Sequence, residues 1–259
     1  MELEFYKYQG TGNDFVIIDN RQLIFDKNNT KLVAQLCDRR FGIGADGLIL
    51  LEHHHELDFK MVYYNSDGNL SSMCGNGGRC IVAFANHLGI ISNRTSFMAI
   101  DGVHNAEIAD SEVLLQMQNV DSILKYGDYS QLDTGSPHYV TTVEGIDSID
   151  VKTKGAAIRY SDAYKSEGIN INFVERITDG HFKVRTYERG VEDETLSCGT
   201  GVTAVALAMH YIGETEKNLI SLSTLGGLLK VKFESTSDGY KDIWLCGKAE
   251  QVFKGIFKW

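Results

Sequence analysis

The sequence predicts an α+β fold of two structurally similar halves, each a curved mixed β-sheet wrapped around a central buried helix. The main observation is a near-repeat, because Cys74–Gly77 and Cys198–Gly201 share a Cys-Gly-x-Gly core and each opens an apolar run. The two motifs lie 198 − 74 = 124 residues apart, and the same offset maps Gly89 onto Gly213. A length of 259 residues with 43% apolar residues is enough for two cores.

The segments after the two cysteine motifs predict the central helices. Ile81–Ala85 and Val202–Met209 are apolar on nearly every face, which is typical of a helix buried on all sides. Neither approaches the ~20 residues of a membrane span, so we expect protein to surround both helices. Gly89 and Gly213 are expected to end the two helices as C′ glycines.

The remaining elements are mainly short strands, with one amphipathic helix. The spacing of apolar residues predicts that helix over Thr30–Arg39. Short β-rich runs bounded by Gly, Asn or Asp predict strands. These runs are Leu3–Phe5, Phe15–Ile18, Leu48–Leu51, Phe59–Tyr64, Val113–Met117 and Lys230–Phe233.

The repeat also predicts how the chain is divided. We expect an N-terminal half over residues 1–120 that carries Cys74, and a C-terminal half over residues 121–250 that carries Cys198. The strand-like run 251–259 is left over after two repeats and is expected to complete the first half. We expect the active site in the cleft between the halves.

Composition and charge exclude several classes of protein. The net charge of −10 argues against nucleic acid and against an anionic membrane surface, because both bind basic faces. It leaves a small anionic substrate open, since local amides and one arginine outweigh a distant net charge. No signal peptide is visible, and the five cysteines suggest no disulfide framework, so we expect reduced thiols in a cytoplasmic protein.

The paired cysteines are the strongest candidates for chemistry. A thiol at a helix N-terminus becomes more acidic, and the glycines leave backbone N–H groups open to a carboxylate. A single cysteine is more often a buried apolar residue, but two cysteines in equivalent turns favour catalysis. Cys37, Cys80 and Cys246 lie in apolar patterns without glycine turns and are expected to be structural.

Two further groups of polar residues accompany the cysteines. Thr134–His138 is expected to form a tight turn in which Gly and Pro direct short polar groups at a site. Three roles stay open for His138: it orients a ligand amine, it assists proton transfer, or it is a hydrogen-bonded histidine without a functional role. Tyr187–Gly190 lies about ten residues before Cys198, and Arg189 suits bidentate binding of a carboxylate. A Glu-Arg pair by itself is more often a surface ion pair.

Two other motifs are rejected. Gly42–Gly47 fits the dinucleotide fingerprint, but it follows a helix and precedes a strand, which is the reverse of the required order. His53–His55 is interpreted as a solvated loop, because consecutive residues point in different directions and no further ligand is near. We therefore expect no metal site.

The motifs together resemble the diaminopimelate epimerase family. The matching segments are Gly10–Phe15, Asp38–Gly47, Asn65–Gly68, Cys74–Cys80, Gly135–His138, Gly168–Asn170, Tyr187–Gly190 and Cys198–Gly201. Ser136 stands where the family commonly has asparagine, and Gln9 where it commonly has histidine.

The resemblance implies a role for each matching residue. It implies that Cys74 and Cys198 are the two catalytic thiols. Residues implied in substrate binding are Asn13, Asn65, Ser136, His138, Asn170, Glu188 and Arg189, together with the carboxylate-binding turns Gly75-Asn76 and Gly199-Thr200. It also implies a homodimer without pyridoxal phosphate, and we therefore expect no cofactor.

The expected activity is inversion of one α-carbon of diaminopimelate between its LL and meso forms, in lysine and cell-wall precursor biosynthesis. One cysteine removes the α-proton as a thiolate, and the other delivers a proton to the opposite face as a thiol. Two alternatives stay open at this stage. One is a cofactor-independent racemase of another amino acid, and the other is a non-catalytic amino-acid-binding protein on the same fold.

Overall fold

A computed structural model describes residues 2–258 and contains many strands and few helices. The strands are β1 (Glu2–Gly10), β2 (Asn13–Asp19), β3 (Gly47–Glu52), β4 (Phe59–Asn65), β5 (Arg94–Ala99), β6 (Gly102–Ala109), β7 (Glu112–Gln116), β8 (Leu124–Tyr126), β9 (Tyr129–Asp133), β10 (Pro137–Thr142), β11 (Asn170–Thr178), β12 (His181–Glu188), β13 (Asp193–Thr195), β14 (Leu219–Thr224), β15 (Gly227–Thr236), β16 (Gly239–Gly247) and β17 (Glu250–Lys258). The helices are α1 (Thr30–Cys37), α2 (Gly75–His87), α3 (Val151–Arg159) and α4 (Gly199–Tyr211), with a 3₁₀ turn at Ile146–Ser148. The predicted α+β class is confirmed.

The described chain divides into two compact units. Unit 1 comprises the residues up to Leu115 together with those from Gly247 onward, and unit 2 comprises Gln116–Cys246. Each unit has its own succession of paired strands and its own buried central helix. No helix among residues 2–258 is long and apolar enough to cross a membrane.

Unit 1 is a mixed sheet that buries residues on both faces. Its strands follow the order β17-β1-β2-β3-β4-β5-β6-β7, in which β2–β3 and β4–β5 are parallel and the other pairs are antiparallel. Helix α2 packs against β1, β2, β3, β4, β6 and β17. Helix α1 lies on the opposite face, where Leu32 and Leu36 join a cluster with Val16 and Leu48. Because successive side chains of a strand alternate between faces, the apolar runs of β2 and β3 serve both helices.

Unit 2 repeats this arrangement. Its strands follow the order β8-β9-β10-β11-β12-β14-β15-β16, with β10–β11 and β12–β14 parallel and β13 added beside β12. Helix α4 packs against β9, β10, β11, β12, β14 and β15. Helix α3 packs against β11, β12 and β13. The two units therefore share the same sequence of parallel and antiparallel pairs.

The two central helices have the same length and the same end. Adding 124 to the ends of α2, 75 and 87, gives the ends of α4, 199 and 211. Gly89 and Gly213 have φ angles of 68° and 83°, which a side chain disfavours. The N–H of Gly89 bonds to Asn86 and that of Ile90 to Ala85, and the residues after α4 repeat both bonds. This is the Schellman motif, so the predicted C′ glycines are confirmed.

Most of the predicted elements are also confirmed, with one correction. All six strand-like runs lie on strands, with only Met117 just beyond the end of β7. The helix predicted over Thr30–Arg39 ends at Cys37, because Asp38 has extended backbone and its carboxylate accepts the N–H groups of Arg40 and Phe41. A short acidic side chain that bonds to nearby backbone competes in this way with helix continuation.

Candidate active site

The first cysteine turn lies at the N-terminus of α2. Cys74 is the N-cap residue with extended backbone, and Gly75 and Asn76 form the first turn. The first bond of the helix runs from the N–H of Gly78 to the carbonyl of Cys74, 2.7 Å away. The preceding N–H groups therefore have no acceptor within the helix, and together with the helix dipole they form a site for an anion such as a carboxylate.

Asn13 lies beside this turn with its amide in a fixed orientation. Its Nδ2 donates to Asp46 Oδ2 at 2.7 Å, and a carboxylate can only accept. Its Oδ1 therefore faces the turn, 3.6 Å from Cys74 Sγ and 3.3 Å from Asn76 Nδ2. The group that unit 1 presents to its cysteine here is a hydrogen-bond acceptor.

A buried arginine supports the same turn from inside the helix. Arg79 is fully buried, and its guanidinium donates to Asn76 Oδ1 at 3.0 Å, to Thr11 Oγ1 at 3.1 Å and to the carbonyl of Gly75 at 3.4 Å. The fork geometry of a guanidinium allows these bonds to be made together. Arg79 thereby fixes the amide of Asn76 with its Nδ2 toward Asn13.

A cluster of charges holds Asp46 in place. Asp14 Oδ2 lies 2.7 Å from Lys7 Nζ, and Arg39 bridges Asp14 at 2.8 Å and Asp46 at 2.7 Å. Burial raises the pKa of Asp14, but hydrogen bonds from Arg39 and then Lys7 outweigh it and lower that pKa to about 2. Asp14 is therefore ionised at every physiological pH. Lys7 also donates to the carbonyl of Gly44, which anchors the loop that carries Asp46.

The second cysteine turn lies at the N-terminus of α4. Cys198 is its N-cap residue and is 7% exposed. The first helical bond runs from the N–H of Val202 to the carbonyl of Cys198 at 2.9 Å, so the N–H groups of Gly199 and Thr200 again have no acceptor within the helix. Cys198 Sγ lies 3.4 Å from Thr200 Oγ1. The Cys-Gly-x-Gly sequence thus builds the same backbone cradle twice.

A buried histidine supports this second turn. His138 on β10 is fully buried, with Nε2 3.0 Å from Thr200 Oγ1 and Nδ1 3.1 Å from Asn172 Nδ2. Burial, assisted by the positive charge of Arg189, lowers the pKa of His138 to about 3. The imidazole is therefore neutral around pH 7 and acts through its two ring nitrogens as one donor and one acceptor.

A separate polar group is built from residues predicted to bind substrate. Asn170 Nδ2 donates to Ser136 Oγ at 3.2 Å, and Asn170 Oδ1 accepts the N–H of Arg189 at 2.9 Å. The guanidinium of Arg189 is exposed and donates to Ser136 Oγ at 3.4 Å and to the carbonyl of Glu167 at 3.0 Å. Ser136, Asn170 and Arg189 thus form one connected cluster at the ends of β10, β11 and β12.

A sequence model of the diaminopimelate epimerase family matches residues 5–122 and 131–251. The chain belongs to this family. A diaminopimelate epimerase of Flavobacterium psychrophilum is 57% identical over 253 residues, which are 97% of this chain and 99% of that protein. A diaminopimelate epimerase of Aquifex aeolicus is 38% identical over 275 residues, covering 98% of this chain and 97% of that protein. The resemblance drawn from the motifs is confirmed.

Solved structures outside the diaminopimelate epimerase family share its fold. A phenazine biosynthesis protein of the PhzF family from Bacillus anthracis superposes with a TM-score of 0.78 at 10% identity, covering 100% of both chains. A hydroxyproline epimerase from Agrobacterium vitis gives a TM-score of 0.65 at 13% identity, covering 98% of this chain and 92% of that one. At these identities the likeness shows the fold alone.

The structure brings some of the predicted site residues together and leaves others apart. Asn13 and Asn76 lie at Cys74, and His138 and Thr200 lie at Cys198. Asn65, at the exposed end of β4, makes none of the contacts described around Cys74. Glu188 ends β12, next to Arg189 in sequence. The substrate contacts of all these residues stay predictions.

Asp46, Arg79 and Asn172 are among the residues of these networks that are absent from the site derived from sequence. Asp46 and Arg79 lie inside segments that matched the family. Asn172 lies two residues after Asn170, so both point to the same side of β11. An arginine in an apolar helix and an asparagine in an apolar strand are the signals that could have identified the last two, because buried polar groups need partners.

Neither motif rejected from sequence has the structural context that its rejected function would need. Gly42–Gly47 connects α1 to β3, so a helix precedes it and a strand follows, as expected. His53–His55 lies in the loop between β3 and β4, where His54 Nδ1 accepts the N–H groups of Glu56 and Leu57. Across residues 2–258 no group of three or more His, Cys, Asp or Glu is arranged to hold a metal ion.

Proposed function

We propose that this chain is an epimerase that inverts one α-carbon of diaminopimelate between the LL and meso forms, and so serves lysine and cell-wall precursor biosynthesis. Membership of the diaminopimelate epimerase family supports the substrate. One observation of the structure supports the reaction class. Cys74 and Cys198 are the N-cap residues of two equivalent buried helices, each beside a cradle of backbone N–H groups.

The proposed mechanism uses the two thiols as one acid and one base. A thiolate takes the α-proton, and the electron pair of the Cα–H bond moves toward the substrate carboxylate. The other cysteine, as a thiol, gives its proton to the opposite face of Cα. The Cα–H group is a very weak acid, so a thiolate alone cannot remove its proton. The first-turn amides of Gly75-Asn76 and Gly199-Thr200 stabilise the negative charge that develops on the carboxylate as the proton leaves. The two cysteines can carry out this reaction only when one is a thiolate and the other is a thiol, that is, when the pair holds a single proton.

The cluster of Ser136, Asn170 and Arg189 is proposed to recognise the distal head of the substrate. Arg189 is exposed, and its guanidinium can donate two parallel hydrogen bonds to a carboxylate. Asn65 and Glu188 are further polar contacts carried over from the family. A substrate without the distal carboxylate leaves Arg189 without that partner. Lysine is therefore expected to be a very poor substrate.

The test is solvent-deuterium incorporation at Cα together with inversion, measured on purified reduced protein with a panel of amino acids. We expect rapid exchange and inversion with diaminopimelate and no cofactor requirement. Cys74→Ala and Cys198→Ala should each lower kcat for inversion by about 10²- to 10⁴-fold or more. Cys246→Ala, which changes a buried thiol outside both turns, is the matched control and should keep activity.

The outcomes separate this proposal from its alternatives. Exchange with another amino acid but not with diaminopimelate would replace it with a different racemase. Binding without exchange would make the chain a non-catalytic amino-acid-binding protein. Near-normal inversion by either alanine variant would refute the two-thiol mechanism.

We also propose a homodimer that pairs through β17, in the cytoplasm. Val252, Phe253 and Ile256 on this strand are exposed by 57%, 45% and 60%, and a second copy of the chain would cover these apolar side chains. Light scattering should give twice the chain mass, and Val252→Lys with Ile256→Lys should give a folded monomer. A wild-type monomer would contradict the dimer.

The cytoplasmic location is proposed because the mechanism needs two reduced thiols, and cell fractionation tests it.

A further inference from the structure

A line of buried polar side chains leads through unit 2 to Cys198. Thr186 Oγ1 donates to Asn172 Oδ1 at 3.0 Å, and Asn172 Nδ2 lies 3.1 Å from His138 Nδ1. His138 Nε2 lies 3.0 Å from Thr200 Oγ1, which lies 3.4 Å from Cys198 Sγ. Asn172 and His138 are fully buried, so these bonds replace solvent completely.

The direction of this line is set at Asn172. Its Nδ2 lies 3.0 Å from the backbone carbonyl of Tyr139, which can only accept a hydrogen bond. If the amide were turned over, two oxygens would face each other there. The two hydrogens of Nδ2 therefore go to Tyr139 and to His138 Nδ1, and Asn172 Oδ1 accepts from Thr186.

The tautomer of His138 follows from this orientation. Because Nδ1 accepts a hydrogen bond from Asn172, the single proton of the neutral imidazole must lie on Nε2. Nε2 then donates to Thr200 Oγ1. One of the two lone pairs of the threonine oxygen accepts this bond, and the hydroxyl hydrogen is available for donation to Cys198 Sγ, 3.4 Å away.

We infer that Asn172 is a positioning residue that, by fixing the tautomer of His138, makes the Thr200 hydroxyl a hydrogen-bond donor to Cys198 and favours the thiolate at that cysteine. A hydrogen-bond donor stabilises the charged form of an acid, and the charged form of cysteine is the thiolate, which accepts hydrogen bonds. Donation from Thr200 therefore lowers the pKa of the Cys198 thiol. Arg189 is a charged group that acts on His138, and α4 has no acidic residue in its first turn. The catalytic consequence rests on the proposed function, whereas the tautomer does not.

The tautomer can be observed directly by NMR of protein with ¹⁵N-labelled histidine, with the His138 signals assigned from His138→Gln. We expect a neutral ring with the proton on Nε2 across pH 5–9. In Asn172→Asp the carboxylate should accept from Nδ1 and move the proton there. A wild-type proton on Nδ1, or a ring that titrates within this range, would overturn the inference whatever the enzyme's substrate.

The effect on Cys198 is measured by its rate of alkylation with iodoacetamide as a function of pH, followed by peptide mass spectrometry. Thr200→Val removes the hydroxyl and should slow alkylation near neutral pH about tenfold or more, by moving the pH midpoint upward. Thr200→Ser should restore the wild-type profile. Thr203→Val is the matched control, because this buried threonine of the same helix bonds to the Gly199 carbonyl at 2.9 Å and not to the sulfur.

The results separate this inference from the proposed function. An unchanged profile in Thr200→Val, or an equal shift in Thr203→Val, would overturn the positioning role even if the protein epimerises diaminopimelate. A shift confined to Thr200→Val and Asn172→Asp would support it even if the substrate proves different.

Discussion

The two cysteine turns have the same backbone but opposite kinds of support. In unit 1 the buried polar residue beneath the turn is Arg79, on the helix, and the strands beneath contribute the apolar Phe15 and Ile49. At the equivalent positions of unit 2 the strands contribute polar side chains, and the arginine of the helix is replaced by a threonine. His138 and Asn172 correspond to Phe15 and Ile49 at offsets of 138 − 15 = 123 and 172 − 49 = 123, and Thr203 corresponds to Arg79 at 203 − 79 = 124.

This difference shows which part of the repeat is shared chemistry and which part distinguishes the two thiols. Both turns keep the backbone N–H cradle, which the carboxylate of a substrate would use in the same way. The side chains differ, because unit 1 presents an acceptor, Asn13 Oδ1, to Cys74, whereas unit 2 presents the Thr200 hydroxyl to Cys198. A fold built twice can thus give one thiol and one thiolate the surroundings that each requires.

The largest expected loss of stability comes from removing the polar residue that supports each turn from its own helix. Arg79→Met leaves the buried acceptors of Asn76, Thr11 and Gly75 without their donor and should lower the free energy of unfolding by about 2–5 kcal/mol. Thr203→Val removes one bond at the equivalent position of unit 2 and should cost about 1 kcal/mol. Urea unfolding measures both. Equal losses in the two variants would show that the units are supported alike.

The charge cluster of Lys7, Asp14, Arg39 and Asp46 in unit 1 differs from the cluster of Ser136, Asn170 and Arg189 in unit 2. It predicts that the stability of the protein depends on pH. The pKa of Asp14 is lowered from 3.8 to about 2, so its stabilising contribution is fully present above about pH 4 and is lost as the pH falls through 2. Asp14→Asn should therefore destabilise the protein by about 2 kcal/mol at neutral pH and flatten the stability curve below pH 4.

Thermal unfolding between pH 2 and pH 7 tests this prediction. Asn170→Asp, which places a carboxylate at the start of β11 in the cluster with Ser136 and Arg189, is a useful comparison. A curve for Asp14→Asn that runs parallel to wild type down to pH 2 would show that Asp14 does not carry the acid sensitivity.

The two glycines of the helix starts should respond differently to an added methyl group. A Cβ on Gly201 would lie 2.6 Å from Asn172 Oδ1, and one on Gly77 would meet the side-chain ends of Ile49 and Met61 at 3.2 Å and 3.3 Å. Gly201→Ala should therefore cost about 1–2 kcal/mol and reduce kcat, whereas Gly77→Ala should cost less because apolar side-chain ends can shift. Similar kcat losses in both variants would contradict the role of Asn172.

The smallest effect is expected at the remaining thiols. Burial raises the pKa of Cys37 and of Cys80 to about 12, so neither forms an appreciable thiolate at neutral pH. Mild alkylation at pH 7.5 should label Cys74 and Cys198, and leave Cys37, Cys80 and the buried Cys246 unlabelled. Peptide mass spectrometry checks this. Early labelling of Cys80 would show that the helix of unit 1 opens readily.

The fold and the repeat could be predicted from the sequence because they depend on local pattern. The all-apolar segments after Cys74 and Cys198 predict buried helices, and Gly89 and Gly213 mark their ends. The end of α1 could not be placed so well, because the carboxylate of Asp38 ends it and not the apolar spacing. Boundaries set by single side-chain bonds are not visible in a periodicity.

The support of the two turns was harder to predict for a different reason. Thr200 and His138 both lie in motifs, but their contact depends on the pairing of β10 with β11 and on the position of α4. Asn172 has meaning only once the carbonyl of Tyr139 is placed beside it. The order of hydrogen bonds is a tertiary property, so it appears in the structure and not in the spacing of residues.

The pairing of β17 with β1 has a consequence for synthesis on the ribosome. Glu2 pairs with Lys258 and Gln9 with Glu250, so the first strand made must wait for the last. Unit 2 is a continuous stretch of chain and can complete its sheet earlier, whereas unit 1 keeps an open edge along β1 until translation is nearly finished. A released chain that is truncated just before Glu250 should therefore contain a protease-resistant second half and a first half that is still cleavable.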